Sequence, residues 1–145
     1  MKQLMMAGVA WLVCVLPLAA SEMPAALMQP YLKLHILLTT DKTEGLAPAA
    51  SAIQAAAAAL GKDAEGMVEQ AKKLGAAKTL EAARAAFGEL SVALVAYSDK
   101  TNHTLPADLH IAYCPMVDKP WVQTGKLIQN PYYGTEMISC GSIKK

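Results

Sequence analysis

The run "LEAARAAFGELSVALVAY", residues 80–97, places Leu80, Ala83, Phe87, Leu90, Leu94 and Tyr97 three or four positions apart over about five helical turns. Such a spacing lines apolar side chains along one side of a helix, and that stripe is stable only when buried against other elements. The same signature recurs upstream. Leu27, Tyr31, Leu34 and Leu38 mark a helix within residues 24–40, and Leu46, Ala50, Ile53, Ala57 and Leu60 mark a second, stopped by Gly61. Met67, Ala71 and Leu74 mark a shorter third helix from about Asp63 to Leu74, closed by Gly75. Pro30 either kinks the first helix or stands in its first turn. Asp41 followed by Glu44 resembles a capping box opening the second. The alanine run 55–59 reads as tight packing, because alanine favours helix and lets neighbouring helices approach closely. Four amphipathic segments with short connections predict an all-α fold, an antiparallel four-helix bundle.

Beyond Lys100 the composition turns polar and rich in proline. Leu109 to Tyr113 is a short apolar run that fits either a strand or an extended strip laid on the bundle. "QNPYYG", residues 129–134, is turn chemistry, and Met137 to Cys140 fits one helical turn. The C-terminal segment therefore reads as an irregular cap on the helical scaffold.

At the other end, "MKQLMMAGVAWLVCVLPLAA" has a lone lysine, an apolar run broken at Pro17, and small residues after it. This is the pattern of a secretory signal peptide over residues 1–21, which leaves 22–145 as one helical domain destined for the periplasm. The apolar run is shorter than the ~20 residues a membrane span uses, so no stable membrane insertion is expected after cleavage. Thirteen Lys and Arg face twelve Asp and Glu, and loss of Lys2 with the leader balances them. A chain with no basic field does not attract nucleic acid.

Loss of the leader also removes Cys14 and leaves Cys114 and Cys140 in an oxidising compartment, where a disulfide is the default expectation for such a pair. Each cysteine, however, has a methionine two or three residues away: Cys114 with Met116, and Met137 with Cys140. Thiolate and thioether donors together suit Cu(I) or Ag(I), whereas zinc sites draw on cysteine, histidine and carboxylate. Pro115 restricts the backbone between Cys114 and Met116, which presets their relative geometry. Methionine is also ordinary core filler. Spacing alone thus leaves metal binding, a structural disulfide and plain packing all open. His110, four residues before Cys114, falls on the same side of an extended strip and is a further candidate ligand. No nucleophile elbow, glycine-rich phosphate loop or His-Glu-x-x-His motif occurs, so the chain does not read as an enzyme.

"YCPM" at 113–116, Trp121 and "IQNPYYGTEMISCG" at 128–141 resemble the bacterial family known as domain of unknown function 3347. That family occurs alone in exported proteins and fused to the periplasmic adaptor subunits of copper and silver efflux pumps. "YLKLHILLTTDKTEGLAPAASAIQAAAAAL" and "AFGELSVALVAY" resemble its alanine-rich helices, so the similarity spans the chain after the leader. The resemblance implies a helical periplasmic domain of heavy-metal resistance, with Cu(I) or Ag(I) as the ion. It further implies Cys114, Met116, Met137 and Cys140 as its sulfur motif, and an efflux adaptor as its partner.

Overall fold

The computed structural model describes residues 20–144. All but the last two positions of the expected leader lie outside them. Four helices follow one another, α1 (Ala25–Thr39), α2 (Leu46–Ala59), α3 (Glu65–Ala76) and α4 (Leu80–Thr101), with a 3-10 turn at Lys62–Ala64 before α3. Every stripe residue named for α1 and α3 is buried, as are Ala83, Phe87, Leu90, Leu94 and Tyr97 on α4. Helix α1 runs through Pro30 without ending there. Helix α2 starts at Leu46 behind Gly45, whose φ of 93° suits a residue without Cβ. Asp41 makes no capping box. Its carboxylate instead accepts from Arg84 on α4 and from Thr135 in the C-terminal segment.

The all-α expectation is corrected by the residues after α4. Strands β1 (Leu109–Cys114), β2 (Lys119–Thr124) and β3 (Ser142–Ile143) form an antiparallel sheet in the order β2-β1-β3. The fold is therefore mixed α and β, 55% helical and 13% strand, and not a four-helix bundle with an irregular cap. The sheet is part of the main core. Trp121 and Val122 on β2 and Ala112 and Cys114 on β1 are fully buried in the same apolar cluster as the helix stripes.

Strand β2 packs against both α1 and α4, the first and last helices of the series. A polar chain fixes this junction. Ser91 donates to the Phe87 carbonyl (2.8 Å), so the Tyr31 hydroxyl donates to Ser91 (2.6 Å) and accepts from the Val122 amide (3.1 Å). The Tyr31 ring stacks on Phe87 with centroids 5.0 Å apart, and the Trp121 and Tyr132 rings meet edge to face at 6.0 Å. Burial pushes the Tyr31 hydroxyl well above the usual phenol range, so it stays a donor at any physiological pH. Among the described residues no helix is long and apolar enough to cross a membrane.

Candidate sulfur site

Cys114 ends β1, and the four residues Pro115, Met116, Val117 and Asp118 turn the chain into β2. Strand β3 returns along the other side of β1, with Ala112 opposite Ile143 and Tyr113 opposite Ser142. Continuing that register sets Gly141 opposite Cys114 and Cys140 one step beyond, diagonally across the strand pair. The approach is close because Gly141 has no side chain. A Cβ there would lie 2.7 Å from the Trp121 ring and 2.8 Å from the Tyr113 carbonyl oxygen, and its φ of 135° is one that other residues rarely adopt.

Asn130 sits at the centre of the arrangement and is fully buried. Its side-chain amide nitrogen donates to the Cys140 carbonyl (2.7 Å) and to the Cys114 sulfur (3.2 Å). Its side-chain oxygen accepts from the Tyr132 amide (2.7 Å), and its own amide donates to the Ile138 carbonyl (2.7 Å). One asparagine thus ties the end of β1 to the segment leading into β3. An N–H directed at a sulfur is the kind of outer partner that orients a metal-bound thiolate.

Both cysteines are free thiols, Cys114 wholly buried and Cys140 partly exposed. Burial first, then the neighbouring Cys114 sulfur, push the Cys140 thiol above the usual thiol pKa. The two methionines are not filler. Met116 is 61% exposed in the β1–β2 turn, and Met137 is 38% exposed just after a 3-10 turn at Gly134–Glu136. Met137 and Cys140 are joined by a reverse turn in which the Cys140 amide donates to the Met137 carbonyl (3.1 Å), in place of the helical turn expected from the sequence; the Met137 backbone, at φ −139°, is not helical. Folding therefore brings Cys114 and Cys140 together around Asn130, and the thioethers stand at the surface on the turns that adjoin them in sequence.

His110 does not share this place. It pairs with Gln123 on β2, and four residues of extended chain at ~3.3 Å each set it about 13 Å from Cys114. It lines a shallow depression with Val95, Asp99 and Lys144. Among the described residues no group of three or more His, Cys, Asp and Glu side chains converges as a metal ion would need.

Asn130 is the residue whose role sequence reading missed. It was legible as the start of a turn, being followed by Pro131, but nothing local shows that its side chain reaches back to Cys114. Comparison with family models, curated proteins and solved structures finds no match to this chain.

Proposed function

We propose that the chain is a periplasmic binding protein for a soft monovalent ion, Cu(I) or Ag(I). In this reading it sequesters the ion or passes it to the adaptor of a heavy-metal efflux system, and it is not an enzyme. The observation that carries the reading is the meeting of Cys114 and Cys140 on the Asn130 side chain at the end of β1, with an N–H donated to the Cys114 sulfur. Two thiolates are the donors these ions favour most, and Met116 and Met137 offer further soft donors that do not compete with protons. The exposure of both methionines suits a site that must take up and release its ion. The resemblance of the Cys and Met segments to a family associated with copper and silver efflux points the same way.

Loading requires loss of the thiol protons, so affinity falls as pH drops, and the raised pKa of Cys140 extends that dependence to higher pH. The nearness of the two cysteines around Asn130 also favours a second reading, a disulfide-stapled helical module that modulates an efflux or sensor complex without holding metal. Anaerobic titration of the fully reduced protein with Cu(I) against a competing chelator separates the two. One ion per chain, lost in Cys114→Ser and Cys140→Ser and weakened in Met116→Leu and Met137→Leu, supports the metal carrier. Failure of the reduced chain to compete for Cu(I) leaves the module.

A further inference from the structure

The two thiols differ in access. The Cys114 sulfur is sealed between the sheet and Asn130, whereas Cys140 lies on the strap before β3 and is partly open to solvent. The Asn130 side-chain amide nitrogen touches both the Cys114 sulfur and the Cys140 carbonyl, and the register of β3 on β1, continued by two residues, sets Cys140 diagonally across from Cys114. A disulfide between them would be partly exposed at its Cys140 end, which is the class of bond that exchanges readily.

We infer that Cys114 and Cys140 form a reversible dithiol–disulfide pair that exchanges with small-molecule disulfides, with Cys140 as the entry thiol and Cys114 as the resolving thiol. In the first step Cys140 gives its proton to solvent and its sulfur attacks one sulfur of the small disulfide. That S–S bond breaks, one small thiolate leaves and takes up a proton, and a mixed disulfide remains on Cys140. In the second step Cys114 loses its proton and attacks the Cys140 sulfur, the protein disulfide forms, and the second small thiol departs. Two protein thiols and one small disulfide become one protein disulfide and two small thiols. The protein loses two electrons and the small disulfide gains them.

Order follows from burial, since an incoming disulfide meets Cys140 and cannot align with the enclosed Cys114 sulfur. A consequence for regulation rests on the metal reading above: the oxidised pair has no thiolate to offer an ion, so oxidising conditions empty the site and a bound ion protects the pair.

The test uses the reduced chain after loss of the leader, residues 22–145, whose two thiols are Cys114 and Cys140, with excess glutathione disulfide at fixed pH, quenched with acid and read by intact mass. Wild type should become lighter by two hydrogens without lasting adduct, and Cys114→Ser should accumulate one glutathione adduct on Cys140. Cys140→Ser should form its adduct on Cys114 about tenfold more slowly or worse. In urea that difference should vanish, which shows that the fold and not the thiol sets the order. Equal adduct rates in the two folded variants, or a wild type that stays reduced or stops at a mixed disulfide, would overturn the inference. A Cu(I) titration of the same reduced sample keeps the two proposals apart. Copper uptake with failed exchange removes only this inference, and exchange without copper uptake removes only the metal carrier.

Discussion

Asn130 is the residue on which the sulfur site depends, because each of its side-chain hydrogen-bonding groups is spent inside the protein. Asn130→Ala leaves the Cys140 carbonyl and the Tyr132 amide without their partners in a buried place. At about 1–3 kcal/mol for each orphaned group, urea denaturation of the reduced protein should show a loss of about 3 kcal/mol. Gly141→Ala attacks the same place from the other side. The added methyl meets the Trp121 ring and the Tyr113 carbonyl oxygen, so this variant should also lose stability, whereas Gly61→Ala, with open space around its Cβ, should suffer only the strain of its φ. Neither residue announced itself in the sequence. A turn-forming Asn-Pro and a glycine after cysteine are legible as chain reversal, but the contacts that make them matter come from strands distant in sequence.

At the scale of elements, the helices were readable because their signal is local: a stripe at three- and four-residue spacing needs only its own segment to be seen. Strand β2 was not, and its sequence explains why. "KPWVQT" opens on Lys119 and Pro120, both poor strand formers, and Trp121, Val122 and Gln123 are buried in succession, so no alternation appears. Pro120 is tolerated because β2 is an edge strand of the sheet. The consequence of β2 lying against α1 and α4 is that Tyr31 becomes a joint between layers. Tyr31→Phe keeps the ring stack and removes the acceptor for the Val122 amide, which should cost about 1–3 kcal/mol in urea denaturation.

His35 is a second joint, between α1 and the segment carrying Asn130, through its ring nitrogen and the Gln129 carbonyl (2.7 Å). Burial holds its pKa below the ordinary value of 6.5. The unfolded chain therefore binds a proton before the folded one does, and stability that is complete above pH 6.5 is lost as pH falls through the window beneath it. A series of melting curves from pH 7 to pH 5 should show Tm declining, with a slope of at most about 1.4 kcal/mol per pH unit from this group. The decline should be shallower in His35→Gln.

Across the whole molecule, helices supply a rigid body, the sheet closes it between α1 and α4, and the pairing of β3 with the central strand brings two cysteines 26 positions apart in sequence together around Asn130. The affinity of sulfur for a soft ion is legible as chemistry in the two Cys and Met clusters of the chain. The geometry that makes them a pair of thiols flanked by exposed thioethers is not, because it depends on the register of β3. Since a ligand that binds only the folded state stabilises it by mass action, Cu(I) at a hundredfold excess over its dissociation constant should raise stability by about 2.7 kcal/mol. The reduced wild type should show this in thermal melts, and the doubly substituted Cys114→Ser, Cys140→Ser protein should not. X-ray absorption at the copper edge, on reduced protein loaded with one Cu(I) per chain, reads the ligands directly. A first shell of sulfur alone, replaced by lighter atoms in the double variant, is the predicted result; a shell of nitrogen and oxygen in the wild type, or one unchanged by loss of both thiols, would contradict it.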